Sequence, residues 1–409
     1  MLGAVSVGPE RRGLPLTLPM WVSFVAASLS FVAVFAASAS PIPLYEIYHR
    51  TGGVTKSDLS LTAVAYFVAA VTALLIFGRL SNHLGRRLVS IAALLVTCAG
   101  SLYLIDMHGP RPLVIGRMLQ GFGAGLASSA VAAYIVDSAP RSPRWLAAAM
   151  TTGAPMVGLT IGALGSGALV RYGPHPRSLI YLIDAALLAL CALLVAVSPE
   201  TVARTRGAQA SLRPQLRVPA AARRFLPVAS ATFVATWALG GFYQAFGPTL
   251  TADQLGTRST LIAALVFASL MVPSAIGAPL SGRLTPAAAQ RLGMITFFGA
   301  LVVILISIRL GAIAPFLVAT LVAGAAQGGT FAGSLRALLA ETTAAERAGM
   351  LAVVYAISYS GAAVPAAIAG QLARTLSLFE IAAGYGALAA IACAITLIAA
   401  RKPGVRTGP

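Results

Sequence analysis

Residues 78–87 read GRLSNHLGRR, and the first four letters return at residues 282–285 as GRLT, 204 positions later. A second string, Gln-Gly followed by further glycines, begins at residue 120 and returns at residue 327, which is 207 positions later. Two offsets close to half of a 409-residue chain indicate that one half duplicates the other. Both halves are strongly apolar, and duplicated membrane halves are typical of transporters whose substrate site lies between the repeats.

The composition places the chain in a lipid bilayer. Hydrophobic residues make up 58% of the sequence and charged residues 10%, with a mean hydropathy of +0.86, whereas soluble chains are about 25% charged. An apolar stretch of about 20 residues spans the bilayer as a helix, and no period-two alternation typical of a barrel is sustained. The sequence predicts twelve spans, near residues 20–43, 58–78, 87–106, 111–136, 144–170, 177–198, 225–248, 258–281, 288–309, 312–339, 347–373 and 377–400.

The net charge of +18 is distributed as a membrane topology predicts. If both termini are cytoplasmic, 20 of the 29 Lys and Arg residues fall in inner segments and 8 in outer loops, with Arg117 inside the membrane. Such a bias is the positive-inside rule. The basic residues therefore indicate contact with the lipid bilayer and its anionic head groups rather than with nucleic acid. We expect a multi-pass protein of the bacterial inner membrane.

The chain divides into two bundles and a linker. We expect a cytoplasmic tail at 1–19, six helices at 20–198, a linker at 199–224 with six arginines, six helices at 225–400 and a tail at 401–409. The first apolar stretch, which follows Arg11 and Arg12, resembles a signal peptide. It is about 20 residues long, which exceeds the core of a cleavable signal, so we expect it to remain as the first span.

The quoted loop carries a resemblance to a known family. GRLSNHLGRR after span 2 resembles the signature Gly-x-Leu-Ala-Asp-Arg-x-Gly-Arg-Arg of the major facilitator superfamily, and RMLQGFGAG at 117–125 is similar to its second signature. The resemblance implies an all-α membrane protein, with twelve transmembrane helices in two pseudo-symmetric six-helix bundles. It also implies a gate built from the signature loop and its repeat: Gly78, Asn82, Gly85, Arg86, Arg87, Gly282 and Arg283.

Two positions depart from the family patterns. Asn82 stands where the family has an aspartate that caps a helix of the other half; Asn can accept that hydrogen bond but brings no charge. Residues 158–167 in span 5 read GLTIGALGSG, with Ala163 where proton-driven drug exporters have proline. The glycines of this run have an antiporter-specific role or simply allow two helices to approach closely.

Three ionisable residues are candidates for coupling transport to protons. Arg117 and Asp184 lie about 9 Å and 10 Å deep in spans 4 and 6 at 1.5 Å per residue, and charges at such depth are costly and functional by default. They can form a pair in which Asp184 takes a proton, or Asp184 has a static structural role. Glu46, after Pro41 and Pro43, is a third candidate or else a solvated acid at the membrane surface.

The predicted cavity wall is aromatic and neutral-polar, which suits an apolar or amphipathic small molecule. Family analogy places spans 1, 4, 7 and 10 around it, and each of these side chains could equally serve packing. The candidate substrate-binding residues are Gln120, Trp237, Tyr243, Gln244 and Gln327, with Tyr66, Tyr355 and Tyr359 on spans 2 and 11.

These patterns favour a monomeric, proton-coupled efflux transporter for small drug-like or metabolite molecules. An uptake or uniport facilitator for a nutrient is the alternative on the same fold. A polytopic enzyme is a remote third possibility, because the sequence has no His-Glu-x-x-His, Gly-x-Ser-x-Gly or Walker string. Cys98, Cys191 and Cys393 are scattered through the spans, so we expect no metal and no cofactor.

Overall fold

The computed structural model describes residues 19–143, 145–343 and 346–400. Twelve long helices are apolar enough to cross a membrane, which confirms the predicted number. We number them α1 (Met20–Ala39), α2 (Lys56–Phe77), α3 (Arg86–Tyr103), α4 (Pro110–Ser138), α5 (Leu146–Tyr172), α6 (Leu179–Val197), α7 (Leu226–Asp253), α8 (Thr260–Leu280), α9 (Pro286–Leu310), α10 (Ile313–Ala340), α11 (Arg347–Leu372) and α12 (Leu378–Ala399). Residues 1–18 of the predicted N-terminal tail, the tail 401–409 and Arg144 lie outside the described residues.

Local sequence signals begin and end several of these helices. Thr55 and Asp58 form a reciprocal capping box at the start of α2, and Ser377 and Glu380 do the same for α12, so backbone N–H groups without a helical acceptor find partners. Gly311 ends α9 in the left-handed region at φ 63°, which glycine adopts without steric cost. In each case the chain turns back into the bundle within a few residues.

The two halves pack their helices in the same pairs. In the first half α4 packs against α2 and α3, and α1 against α5 and α6. The second half repeats the arrangement, with α10 against α8 and α9, and α7 against α11 and α12. Between the halves, α2 packs on α11 and α5 on α8, contacts that the same pseudo-twofold rotation exchanges. The predicted all-α fold of two pseudo-symmetric six-helix bundles is therefore confirmed.

Close glycine contacts correct the register of the repeat. A methyl group on Gly121 of α4 would overlap the backbone carbonyl of Tyr66 on α2, and one on Gly324 of α10 would overlap that of Leu270 on α8. The counterpart of Gly121 is thus Gly324, 203 positions later, and not Gly328 of the repeated Gln-Gly string. The offset of 207 between the two Gln-Gly strings therefore differs by four residues, about one helical turn, from the offset of 203 between the structural counterparts.

The halves are held together at one end of the molecule. We call the end with the connection between α6 and α7 the linker face, and the other end the opposite face. At the opposite face Lys56 Nζ of α2 lies 2.6 Å from Asp253 Oδ2 of α7, and Arg171 Nη1 of α5 donates to Ser259 Oγ at 2.8 Å. Two more hydrogen bonds cross there, Ser60 Oγ to the Ala366 carbonyl and Thr260 Oγ1 to the Gly167 carbonyl. The opposite face is closed.

We infer a cavity that enters from the linker face, because the ion pair and side-chain hydrogen bonds that join the two halves in the described part of the chain all lie at the opposite face. Along α7, which starts at that face, Ala231, Val234, Trp237 and Gly240 are partly exposed, while residues 241–251 are all buried. Residues three apart are neighbours on a helix surface, so this row is a continuous open stripe that winds around α7 and ends near its middle. Gln327, Phe331 and Leu335 form a similar partly exposed row on α10. The interface between the two halves is therefore open at the linker face and closed at the opposite face.

Candidate substrate and coupling site

Aromatic side chains from both halves meet where the cavity ends. We call this group the central aromatic cluster: Tyr66 and Phe67 of α2, Trp237 of α7, Phe331 of α10, and Tyr355 and Tyr359 of α11. The Trp237 and Tyr359 rings are 4.9 Å apart, and the Phe67 and Tyr359 rings, which join the two halves, are 6.2 Å apart. Trp237, Phe331 and Tyr355 are partly exposed, whereas the other three are buried. The cluster is the floor of the cavity.

This arrangement groups four of the predicted substrate residues. The rings of three of them lie near the open stripe of α7: Trp237, Tyr355 and Tyr359. Tyr66 lies behind these rings. Aromatic walls favour planar apolar ligands through offset or edge-to-face contacts. Gln327 is partly exposed on the α10 row, and its Oε1 has no hydrogen-bond partner. An amide in that position can accept or donate one bond to a ligand.

Arg117 lies directly behind the cluster and is completely buried. Its guanidinium stacks 4.3 Å from the centre of the Tyr66 ring. Its Nη1 donates to the Ser38 carbonyl of α1 and to Gln120 Oε1 at 2.9 Å, while Nε and Nη2 have no partner. A buried cation with two unused donors is a high-energy group, so the site is poised to accept a further hydrogen-bond acceptor.

Gln120 does not face the cavity as a substrate ligand. Its Nε2 donates to the Ala37 carbonyl at 2.9 Å and lies 3.4 Å from Ser101 Oγ, and its Oε1 accepts from Arg117. The side chain is fully buried between α1, α3 and α4. In this conformation it positions the Arg117 guanidinium, because both of its amide groups are already used.

The possible pair between Arg117 and Asp184 is not formed. Within the described part of the chain, no ion pair includes either residue. Asp184 is 5% exposed on α6, a helix that packs against α1 and α3, and its Oδ2 has no partner. The acid is thus enclosed within one half of the molecule, whereas Arg117 turns toward α1 and Tyr66.

Tyr243 and Gln244 also have different surroundings from those predicted. The Tyr243 hydroxyl bonds Thr320 Oγ1 at 2.7 Å, and its ring stacks on Phe316 at 6.1 Å, so it is buried between α7 and α10. Tyr243 therefore packs the second half and is not on the cavity wall. Gln244 is 4% exposed and its Oε1 lacks a partner; it lies one turn beyond Gly240, where the open stripe ends.

Residues 22–312, more than half of the chain, match the sequence profile of the Major Facilitator Superfamily. The chain belongs to the major facilitator superfamily. It is 23% identical over 209 residues to the quinolone resistance protein NorA of Staphylococcus aureus strain MRSA252, which is 51% of this chain and 53% of NorA. It is 29% identical over 73 residues to the multidrug resistance protein MdtL of Klebsiella pneumoniae strain 342, 18% of this chain and 19% of MdtL. The chain thus spans about half the length, or less, of these curated relatives.

Solved structures show the same fold. The nucleoside transporter NupG superposes with a TM-score of 0.70 at 12% identity, covering 93% of this chain and all of NupG. A partially occluded inward-open conformation of the xylose transporter XylE from E. coli superposes with a TM-score of 0.69 at 14% identity, covering 94% of this chain. Membership of the major facilitator superfamily makes membrane transport, rather than an enzymatic activity, the function to be expected of this chain.

The signature loop of this superfamily member is fastened within its own half. The side chain of Arg86 lies 3.0 Å from Asp137 Oδ2 and donates to Asn82 Oδ1 at 2.6 Å. The Glu200 carboxylate, just after α6, accepts from the backbone N–H of Arg86 at 2.7 Å and of Arg87 at 3.1 Å. An anion is favourable at a helix N-terminus such as that of α3. Asn82 therefore bonds Arg86 here rather than a helix of the second half.

The repeat of the loop is fastened differently. Arg336 of α10 donates to the carbonyls of Ser281 at 2.8 Å and of Gly282 and Leu284 at 3.2 Å, and Arg283 is exposed. Gly78 follows α2 as its C-cap, with its N–H bonded to the Leu74 carbonyl. The loop of the first half is thus held by carboxylates, whereas its repeat in the second half is held by an arginine that donates to backbone carbonyls.

Sequence reasoning missed Asp137 and Glu200 as partners of the signature loop. Asp137 lies in the last turn of α4 and Glu200 follows Pro199 at the end of α6. From sequence alone, acidic residues at helix ends are usually interpreted as solvated surface charges. The available signal was that the loop carries adjacent arginines without an acid of its own, so other segments must supply one.

Three of the four glycines at residues 158–167 serve close packing in this structure; the fourth, Gly165, has nothing within 4 Å of its Cβ position. A methyl group on Gly158 or Gly162 would meet the carbonyl of Val32 or Ala36 on α1. Gly167 approaches Ala264 of α8, across the interface between the halves. This geometry accounts for the glycines as small residues at helix contacts.

Alanine at Gly85 should destabilise the signature loop. Gly85 has φ 97°, and an added Cβ would overlap the Glu200 carboxylate. We expect a loss of about 1–3 kcal/mol from backbone strain and the displaced cap. Thermal unfolding in detergent measures it. Gly282→Ala is the matched control, because nothing lies within 4 Å of its Cβ position, and equal stability of the two variants would contradict the argument.

Proposed function

We propose that this chain is a proton-coupled efflux transporter of the bacterial inner membrane, which exports small amphipathic molecules with aromatic character by alternating access. The observation that supports it best is a one-sided cavity that ends on the central aromatic cluster, with the buried Arg117 behind it. The two bundles, 20–198 and 225–400, rock as a monomer about their interface, with 199–224 as the linker.

The charge distribution supports a cytoplasmic linker face. That face carries the signature loop and the linker with its six arginines, and the sequence places 20 of 29 basic residues on this side. Basic residues near the ends of spans remain in the cytoplasm. The cavity then opens toward the cytoplasm, where an exported substrate is collected. With this orientation and twelve spans, the proposal assigns both termini to the cytoplasm.

The chemistry of the floor supports the substrate class. The described side chains at the cavity floor are aromatic or neutral amides, with Arg117 the one charge behind them. A sugar needs many hydrogen-bonding partners and a polyanion needs several cations, which these walls do not offer. The names of NorA and MdtL, resistance proteins similar to parts of this chain, agree with export of drug-like molecules.

Transport in everted membrane vesicles tests the function. Vesicles from an overexpressing strain should accumulate an aromatic probe, either the cation ethidium or the neutral dye Nile red, when respiration makes their lumen acidic. An uncoupler should collapse the accumulation. Accumulation that survives the uncoupler, or probe uptake only by intact cells, would instead favour a facilitator or an uptake system. Vesicles from the deletion strain are the control.

Reporter fusions test the orientation. A reporter active only outside the cytoplasm should give no signal when fused after Pro409 and a strong signal when inserted in the loop at residues 104–109, which lies on the opposite face. The reverse pattern would overturn the assigned orientation.

A further inference from the structure

Glu46 lies in a cleft whose two walls belong to different halves. The prolines at 41 and 43 interrupt the first span, and Glu46 follows in a short helix, Tyr45–Thr51. The cleft at the opposite face has Pro43 and Glu46 on one wall. The other wall comes from the second half: Pro248, Thr257, Arg258, Ser259, Thr260 and Ala263. The surroundings of Glu46 therefore change whenever the two halves separate at this end.

The carboxylate of Glu46 is poorly compensated in this closed cleft. Its Oε2 is buried and has no hydrogen-bond partner, and it forms no ion pair within the described part of the chain. The charged or titratable groups that act on it are Asp253 and Arg258 from the second half and His49 and Arg50 from its own helix. Asp253 is already bound to Lys56 at 2.6 Å. Burying a carboxylate without its own cation is costly, so closure of the cleft favours the protonated acid.

Asp184 lacks this dependence on conformation. It is enclosed by helices of the first half alone, since α6 packs on α1 and α3. If the halves move as bodies, its neighbours stay the same in both states. A proton can shift a conformational equilibrium only when it binds the two states with different affinity. Glu46 meets that condition and Asp184 does not.

We propose that Glu46 is the proton-binding acid of the transport cycle, exposed when the opposite face opens and occluded between the halves when it closes. The inference rests on the proposed proton-coupled function. A proton from the outside adds to the Glu46 carboxylate and neutralises it, which favours closure of the opposite face. Its release to the cytoplasmic side restores the charge beside Asp253 and favours reopening, while substrate moves outward.

One face of α7 connects the cleft to the cavity. Four residues on this face follow each other at spacings of three or four, so they share a side of the helix. They are Pro248 of the cleft, Gln244, Gly240, and Trp237 of the cavity floor. The distance along the axis from Pro248 to Trp237 is about 16 Å at 1.5 Å per residue. Gly247 is buried, yet nothing lies within 4 Å of its Cβ position. This stripe, with the unpartnered amide oxygen of Gln244, is the route by which the proton leaves Glu46.

Cysteine accessibility tests the proposal without a substrate. Cysteine replaces Ala263, which lines the cleft and is 5% exposed, in a full-length protein whose three native cysteines are alanine. The labelling rate with a membrane-impermeant maleimide is divided at each pH by that of an exposed reference cysteine on the same face, His108→Cys, because a rising thiolate fraction alone speeds the reaction. This ratio should rise with pH, because deprotonated Glu46 opens the opposite face. We expect about a tenfold change in labelling rate, which corresponds to 1.4 kcal/mol. Glu46→Gln should remove the pH dependence of this ratio and keep the ratio low.

Two further variants make the result decisive. Glu46→Asp keeps the acid and should retain a pH response, which guards against simple misfolding of the glutamine variant. Asp184→Asn should behave like the parent. A pH response that survives Glu46→Gln or disappears in Asp184→Asn, or the lack of any response in the parent, would overturn the assignment. If the pH response is as expected but vesicles transport neither probe, the proposed function fails while the proton site stands.

Discussion

Replacing Arg117 with alanine should abolish proton-driven transport while the protein still inserts and purifies. The guanidinium holds the Ser38 carbonyl and Gln120 and stacks on Tyr66 of the central aromatic cluster. Hydrogen bonds to a charged group are worth about 1.5–3 kcal/mol each. Losing both hydrogen bonds should lower the initial rate of proton-driven transport roughly 100-fold or more. Folding should survive, because the same change removes a buried cation that lacks an acidic partner in the described structure.

The conservative substitution and the symmetry-related position provide the controls. Arg117→Lys should recover little activity, since a lysine cannot both reach two acceptors and stack a flat group on Tyr66. The counterpart of Arg117 in the second half is Thr320, 203 positions later in the register set by the glycines. Thr320→Val loses a hydrogen bond to Tyr243 but should keep proton-driven transport. Proteoliposome uptake of ethidium or Nile red and thermal unfolding are measured together, and an active Arg117→Ala protein would exclude the residue from coupling.

Alanine at Gly328 should strongly destabilise the second half. Its Cβ would overlap the Ser274 carbonyl of α8, so α8 and α10 would have to move apart along a contact that buries much of both. Overpacking of this kind costs about 1–3 kcal/mol or more. The fraction of folded, monodisperse protein and its unfolding temperature in detergent measure the effect.

Gly384→Ala is the matched control for this test. Gly384 is also in the middle of a span, on α12, but it is exposed at the surface of the bundle and nothing lies within 4 Å of its Cβ position. Its change should stay within about 0.5 kcal/mol. Similar behaviour of the two variants would mean that α10 does not pack on α8 through Gly328.

The register of α4 and α10 shows what a repeated string can and cannot predict. The strings Gln120-Gly121 and Gln327-Gly328 are real repeats in the sequence, but the structure pairs Gly121 with Gly324. A shift of four residues returns almost to the same side of a helix. Periodicity alone therefore cannot distinguish the two registers, and only the contact between helices can.

The sequence pointed to individual residues of the candidate site, but it did not show which of them lie together. The rings of Trp237, Tyr355 and Tyr359 lie close together, and their role in substrate binding stays a prediction. Tyr243 and Gln120 are instead used within single halves. A helix in the middle of a bundle is buried on every side, so its sequence carries little information about which side faces the cavity.

The sequence by itself determined the membrane class, the twelve helices, the duplication and the superfamily, because hydropathy, charge bias and local motifs are properties of single segments. Only the tertiary structure decided which residues meet: Arg117 with Tyr66 rather than Asp184, Arg86 with Asp137, and Glu46 with a wall of the other half. These contacts join residues far apart in the chain. They depend on how helices rotate and slide against each other, which close glycine packing and burial of polar groups settle together.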